Sequence, residues 1–388
     1  MKIRSSAGVF FVSALVFLLF SSGGGRLEAC SILKVTSQDG TIISARTMEF
    51  GYDVQSAVVA IPRGKKFVSP APPIQKNKTG LSWKNQYGYV GIDVFGEEVA
   101  VFDGLNEAGL AFSALWYEKD TQYQDVAPHE TDQALAHTLL GSWILGNFAT
   151  VGEVKEAIKK IKVFGLPVPK MGIPPIHIAV YDEKGGAIVI EYDQGQLHIY
   201  DNPLGIMTNA PNFPWMMTNL RQDVGMSVEM AKPQDYAGVE ILPTGHGSGM
   251  FGLPGDITPP SRFVRMAVMT HFAAPVPDAQ GALNLAQHII YTLDITKGMV
   301  VDKDSSGKIV SSETTQWVSF RDLTNKIFYF RTYDNFTLRK IDLNQLDFTT
   351  EQTIPLTGDD ELIIDVTERL KKKLKKEKES KKLKKQKK

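Results

Sequence analysis

The chain has 388 residues, of which 43% are hydrophobic and 22% are charged, and this is the ordinary composition of a globular protein. Its single cysteine excludes a fold that relies on internal disulfide bonds. After the N-terminal segment, no apolar stretch is long enough to predict a membrane-spanning helix.

The first residues are typical of a secretory signal peptide. Lys2 and Arg4 precede an apolar run over about Ala7–Phe20, and small residues and Arg26-Leu27-Glu28-Ala29 follow. Cleavage after Ala29 would make Cys30 the first residue of the mature protein. A thiol and a free α-amino group would then share one residue, and an activated nucleophile needs such a pairing with a base. We therefore expect an exported protein, periplasmic or secreted.

The net charge of zero is the sum of positively charged terminal regions and a negatively charged body. Residues 371–388 contain twelve Lys and two Glu, a net charge of +10, and the signal region contributes +2, so the body over 30–370 carries −12. Two interpretations of the tail stay open: a solvated helical extension of the domain, or a segment that contacts anionic surfaces weakly. The predicted organisation is a signal peptide (1–29), one domain (30–370) and a Lys-rich tail (371–388).

Beyond the signal peptide the pattern is one of short strands and turns. Two β-branched runs, Ser31–Thr36 and Thr41–Arg46, flank the turn Gln38-Asp39-Gly40 and predict a β-hairpin that returns Arg46 and Glu49 towards its start. The other predicted strands lie over Val58–Pro62, Gly88–Phe95, Val99–Trp116 (strand, turn, strand), Ile176–Tyr181, Ala187–Tyr192, Gln196–Tyr200 and Thr314–Leu343. The predicted helices lie over Thr131–Gly146, Val151–Ile161, Ser261–Ala274 and Ala282–Asp294. Strands, then helices, then strands indicate a layered α+β fold.

Cysteine chemistry needs the thiolate, which a nearby Arg would stabilise. Arg46 and Glu49 are within reach of Cys30 through the predicted hairpin. Composition alone does not single them out, because Arg and Glu at strand ends are usually solvated.

Five segments, in order along the chain, support a functional role for these residues. They are CSILKVTSQDGTIISARTMEFG, GLNEAGLAFSALWY, TNAPNFPWMMTNL, GLPGDITPPSRFVR and TTQWVSFRDLTNKIFYFRTYDN. Together they resemble the choloylglycine hydrolase family, which contains conjugated bile salt hydrolases and penicillin V acylases. The resemblance implies an N-terminal nucleophile hydrolase with a four-layer αββα fold and two stacked, mostly antiparallel sheets.

The resemblance also implies roles for five catalytic residues. Cys30 would be the nucleophile, and Arg46 would lie beside its thiol. Glu49 would hold the α-amino group, Asn209 would donate to the oxyanion, and Arg262 would complete the polar cluster. For Asn212 we expect instead that it satisfies a turn, and for Arg265 that it lies on a helix surface.

Two positions depart from the pattern of the family. Glu49 stands where the family usually has Asp. Trp116 stands where bile salt hydrolases commonly have Asn and many penicillin acylases have Tyr, which resembles the Gram-negative branch. Trp116 is a candidate substrate-binding residue, although an aromatic residue at a strand end is also a common core residue. The other candidate pocket residues are Phe50, Trp83, Tyr87 and Phe213.

The resemblance implies hydrolysis of a small-molecule linear amide without a cofactor, a metal or a nucleic-acid partner. Its implied substrates are conjugated bile salts, penicillin V or N-acyl homoserine lactones, and its implied assembly is a homo-oligomer, commonly a tetramer. Two other hypotheses stay open. Leu27-Glu28-Ala29-Cys30 could be a lipobox whose cysteine carries lipid, or the fold could serve a non-catalytic binding protein.

Overall fold

The computed structural model describes residues 29–368, except 76, 95, 169–170 and 358–359. The predicted signal peptide up to residue 28 and the predicted Lys-rich tail lie outside the described residues. In the described part of the chain, no helix is long and apolar enough to cross a membrane.

Strands dominate the described chain. The strands are β1 (Cys30–Thr36), β2 (Ile42–Phe50), β3 (Ala57–Ile61), β4 (Lys66–Pro70), β5 (Thr79–Lys84), β6 (Tyr89–Val94), β7 (Glu97–Asn106), β8 (Ala111–Trp116), β9 (Ala134–Ala136), β10 (Lys162–Phe164), β11 (Ile176–Tyr181), β12 (Ala187–Asp193), β13 (Gln196–Asp201), β14 (Gln234–Tyr236), β15 (Val239–Ile241), β16 (Val300–Lys303), β17 (Ile309–Asp322), β18 (Ile327–Thr332), β19 (Arg339–Asp342) and β20 (Gln352–Pro355). The α-helices are α1 (Leu140–Asn147), α2 (Val151–Ile158), α3 (Phe213–Asn219), α4 (Pro259–Phe272) and α5 (Ala279–Ile290).

Two antiparallel sheets stack at the centre. The first has the strand order β1-β2-β17-β18-β19, with β16 paired to β17, and the second has the order β13-β12-β11-β8-β7-β6-β3-β20. Strand β1 packs against β8, and β18 packs against β7. Helices α4 and α5 cover the outer face of the first sheet, and α1 covers the second. The result is a four-layer αββα arrangement with two stacked antiparallel sheets, as predicted.

The hairpin of β1 and β2 directs alternate side chains to its two faces, one towards the second sheet and one towards α4. Cys30 pairs with Met48, and Ile32 pairs with Arg46. Because side chains alternate along a strand, Cys30, Arg46 and Met48 share the face towards the second sheet. There, Arg46 Nη2 donates to Ala114 O at 2.7 Å. Ser31, Thr47 and Glu49 instead share the face towards α4.

One predicted helix is wrong in its first half. Over Thr131–Gly146 the chain forms a 3₁₀ turn, then β9, then a second 3₁₀ turn, and only then α1. Strand β9 pairs in parallel with β10 and is fully buried. This pairing satisfies the backbone in a buried site, and it overrides the helix propensity of the Ala- and Leu-rich sequence.

Candidate functional site

The candidate site is built around Cys30 at the start of β1. The Cys30 Sγ lies 3.8 Å from Arg46 Nη2 and 3.9 Å from Met48 Sδ. Burial raises the pKa of the thiol and the charge of Glu49 raises it further, whereas the charge of Arg46 and the backbone amides of Glu49 and Trp116 act to lower it. The site therefore contains a buried thiol with a cation and two amide dipoles that favour its thiolate.

Arg46 is fixed by contacts on two sides. It is fully buried, and its guanidinium carbon lies 4.8 Å from the ring centroid of Trp317 in β17. Its Nη2 donates to Ala114 O. An aromatic face and a carbonyl oxygen thus hold the cation without neutralising its charge, which leaves that charge to act on the sulfur.

Asn209 lies at the backbone nitrogen of the same cysteine. Its Oδ1 accepts from Cys30 N at 2.9 Å and from Arg262 Nη2 at 2.6 Å. Its Nδ2 donates to Trp116 O at 2.8 Å. An amide nitrogen carries two hydrogens, so the second one is available to an oxygen that develops negative charge near the thiol.

Arg262, in the first turn of α4, connects these groups. Besides its bond to Asn209, it donates through Nη1 to Cys30 O at 2.5 Å and to Ser31 Oγ at 2.6 Å. The side chain is fully buried, and burial lowers its pKa while the charge of Glu49 raises it. Arg262 therefore fixes the position of the first residue of β1 relative to Asn209.

Glu49 has different neighbours from those that the resemblance implies. Its oxygens accept from Thr315 Oγ1 at 2.7 Å and from Thr47 Oγ1 at 2.8 Å, on the face of the sheet opposite the thiol. Burial raises its pKa to about 7, whereas the charge of Arg262 lowers it. In this structure, where the Ala29–Cys30 bond is intact, the cysteine nitrogen meets Asn209 instead of Glu49.

Residues 30–358 match the family described as linear amide C–N hydrolases, choloylglycine hydrolase family. The chain belongs to this family.

Named relatives of this choloylglycine hydrolase include a bile salt hydrolase/transferase of Clostridium perfringens (strain 13 / Type A). It is 30% identical over 322 residues, which cover 81% of this chain and 93% of the relative. A penicillin V acylase of Pectobacterium atrosepticum is 27% identical over 183 residues, which cover 45% of this chain and 47% of the relative. A crystal structure of a variant conjugated bile acid hydrolase from Clostridium perfringens has a TM-score of 0.75 at 26% identity, and the match covers 87% of this chain and all of that one.

The choloylglycine hydrolase fold brings four of the five predicted catalytic residues into direct contact: Cys30, Arg46, Asn209 and Arg262. Two predicted pocket residues lie beside them. Trp116 contributes its carbonyl oxygen to Asn209, and its ring meets that of Phe50 edge to face at 5.7 Å. Phe50 in turn lines a cavity of about 530 Å³.

The other three predicted pocket residues make contacts with residues outside the cluster around Cys30. Trp83 stacks on Phe67 at 5.0 Å, and the backbone of Tyr87 donates to Gly146 at the end of α1. Tyr87 precedes β6, whose first residue pairs with Asn106 beside the β7–β8 turn. Trp116 is the last residue of β8, at the end of the second sheet that lies away from this turn. Phe213 is a buried residue whose ring lies 6.0 Å from Tyr200 and 6.4 Å from Phe263.

Two further expectations are settled by contacts. Arg265 is buried, not on the helix surface, and it donates to Asp256 O at 2.7 Å and to Thr292 O at 3.2 Å. It lies one turn after Arg262 on the inner face of α4, which the sequence spacing could have indicated. Asn212 caps α3 by accepting from Trp215 N at 3.0 Å, so it does satisfy local backbone.

Sequence reasoning missed a buried pair that supports the Asn209 segment. His177 Nδ1 lies 3.1 Å from Glu191 Oε1, and both side chains are 1% exposed. His177 Nε2 lies 2.8 Å from Thr208 O, and Glu191 Oε1 accepts from Phe213 N at 2.9 Å. The pair thus holds the chain on both sides of Asn209.

We therefore expect Glu191→Ala to lower kcat/KM for the amide substrate by about 10–100-fold, since a displacement of about 1 Å can cost 10²-fold. Glu191→Gln should keep more of the activity than Glu191→Ala, because its amide oxygen can still accept from Phe213 N. Alkylation of Cys30 by iodoacetamide, which does not need Asn209, serves as the control and should proceed at a similar rate in all three proteins. Wild-type turnover by Glu191→Ala would contradict this positioning role.

Proposed function

We propose that this choloylglycine hydrolase is exported, is cut after Ala29, and hydrolyses a linear amide of a small molecule with the Cys30 thiolate as nucleophile. One observation carries the proposal. The thiol of Cys30 faces Arg46 at 3.8 Å, while the backbone nitrogen of the same residue lies 2.9 Å from Asn209 Oδ1. Cleavage would turn this nitrogen into an α-amine, which is partly neutral near pH 7 and can accept a proton.

The proposed reaction has two halves. The α-amine takes the thiol proton, the thiolate forms a bond to the amide carbonyl carbon, and the second Nδ2 hydrogen of Asn209 stabilises the oxyanion. The tetrahedral intermediate collapses with release of the amine, which receives its proton from the α-ammonium. Water then attacks the thioester, the α-amine takes up a water proton, and the carboxylic acid leaves as the thiol is restored.

The cavity beside Phe50 is the proposed acyl pocket. Its lining is largely aromatic and polar and includes Tyr52, Gln316, Trp317 and Tyr333. Trp317 also packs on Arg46, and Phe50 packs on Trp116, so the cavity lies one side chain away from the thiol. Aromatic walls suit an aromatic or long-chain acyl group.

We propose penicillin V or an N-acyl homoserine lactone as the preferred substrate, because Trp116 stands where the bile salt hydrolases of the family commonly have Asn. Homo-oligomeric assembly and a weak contact of the Lys-rich tail with anionic surfaces are further parts of the proposal.

A turnover panel tests the function. The mature protein, with Cys30 confirmed as an unmodified first residue by intact mass, is incubated with glycocholate, taurocholate, penicillin V and N-acyl homoserine lactones, and the released amine is measured. We expect amine release to be fastest with the last two classes. Faster release from the bile salts would contradict the substrate preference. Release from none of the four would contradict the proposed function, and added acyl mass on Cys30 would favour a lipid anchor.

A further inference from the structure

A second buried carboxyl group lies next to the cleavage point. Glu313 of β17 is 3% exposed, and the nearby backbone amide of Ala29 acts to lower the pKa of its carboxyl group. Among the described residues, its Oε1 has no hydrogen-bond partner. A buried carboxyl oxygen without a partner is costly, so this atom points to a group that the uncut chain does not supply.

The charges around Glu313 do not balance. Burial is the main cause that raises its pKa to about 8; the charges of Glu49 in β2 and Asp302 in β16 raise it further, and the charge of Arg262 in α4 lowers it. Arg262 directs its hydrogen bonds to uncharged oxygens, among them Cys30 O. One guanidinium group therefore faces the buried carboxyl groups of both Glu49 and Glu313.

Other charges near this cluster already have partners. Asp294, which follows α5, also raises the pKa of Glu49, but both of its oxygens accept from Arg331 Nη2. Arg265 of α4 donates to backbone carbonyl oxygens and acts on Arg262 by repulsion. The cluster as described thus lacks one positive charge.

Cleavage after Ala29 would supply that charge at this position. The Ala29 amide that acts on Glu313 is one residue before Cys30 N, a spacing of under about 3.8 Å. Cleavage removes Ala29 and leaves a new amino group at Cys30 N. The Glu49 carboxylate is already held by Thr47 and Thr315, at 2.8 and 2.7 Å. The amide that acts on Glu313 is removed with Ala29 at that step, and Glu313 Oε1 has no partner among the described residues.

We propose that Glu313, more than Glu49, holds the α-amino group of Cys30 once the bond after Ala29 is cut. The inference rests on the proposed function for that cleavage. Glu313 is a positioning residue in this account, since the proton passes from the thiol to the amine and then to the leaving group without entering the carboxylate. An adjacent carboxylate favours the ammonium form, which makes the amine a stronger base.

The single cysteine makes the amine directly observable. Mature protein grown with ¹³C-labelled cysteine contains one labelled residue, so the Cα resonance of Cys30 reports the titration of its amino group. Glu313→Gln should lower the pKa of this amino group by about one unit, since one nearby opposite charge shifts a pKa by about 1–3 units. The acid limb of kcat/KM should move to lower pH by the same amount, because the neutral amine then persists at lower pH.

Two variants serve as comparisons. Glu49→Gln should shift the titration of the amine less than Glu313→Gln, and Glu313→Asp, which keeps the charge, should restore most of the wild-type value. Equal pKa values in wild type and Glu313→Gln, or a larger shift in Glu49→Gln, would overturn the proposal. If Glu313→Gln does not fold, Glu49→Gln decides: a fall of about one unit or more in the pKa of the amino group of Glu49→Gln would overturn the proposal, and a smaller fall supports it. The titration needs no substrate, so it separates this inference from the failure of the proposed hydrolysis.

Discussion

Replacing Cys30 by alanine in the mature protein is expected to reduce amide hydrolysis by about 10⁴-fold or more. The estimate follows from nucleophile deletions in enzymes whose remaining oxyanion donors leave only residual catalysis. Cys30 is the single cysteine of the sequence, so no other side chain can form a thioester. Hydrolysis is measured as amine released from the best substrate of the panel.

The same variant should fold. The Cys30 sulfur contacts Met48 Sδ and Arg46 Nη2, and its removal leaves a void of about one atom, which costs on the order of 1 kcal/mol. Cys30→Ser is the matched variant, because it keeps a hydrogen-bonding group but replaces the thiol by a hydroxyl that ionises far less readily. Wild-type rates in Cys30→Ala, with unchanged thermal unfolding, would show that the nucleophile lies elsewhere.

The largest effect on stability is expected for Asp103→Ala. Asp103 of β7 and Arg321 of β17 form an ion pair between the two sheets, and both side chains are fully buried. Asp103 also accepts from Ser113 Oγ and Ser319 Oγ, and Arg321 Nε donates to Ser44 Oγ at 3.0 Å. Removing the carboxylate leaves a buried guanidinium without its counter-ion, which costs about 3–5 kcal/mol of unfolding free energy.

Denaturant unfolding of the mature protein measures this loss. Asp201→Ala provides the matched control, because Asp201 pairs with Lys155 at 2.8 Å but is 78% exposed. An exposed pair contributes about 0–1 kcal/mol, so the control should unfold close to wild type. If both variants lose the same small amount, the buried pair does not hold the two sheets together.

Local patterns predicted the elements that position the nucleophile. The hairpin of β1 and β2, the strands β11, β12 and β13, and the helices α4 and α5 lie where alternation and helical spacing place them. Alternation along β2 also places Arg46 and Met48 on one face and Glu49 on the other, so the sequence pattern predicts which side chains share a face. The long-range partners Asn209 and Arg262 came from the family resemblance, because no local pattern joins them to Cys30.

Tertiary contacts decided the remaining points. β9 is a strand because β10 lies beside it, and no local signal carries that information. Trp83, Tyr87 and Phe213 are candidate pocket residues because they are aromatic, but their neighbours depend on tertiary packing: Trp83 stacks on Phe67, and Phe213 packs on Tyr200 and Phe263. The position of the Glu313 carboxyl group could not be predicted from the sequence either, because it depends on the bulge that aligns β17 with the end of β2.

The central claim is that Cys30 carries the acyl group during turnover. The most direct measurement is the intact mass of the mature protein quenched in acid during hydrolysis of penicillin V or of the best substrate in the panel, followed by mapping of the N-terminal peptide. We predict a transient mass increase equal to the acyl group, located on Cys30 and absent from Cys30→Ala. Steady turnover with the acyl group on another residue would contradict the account.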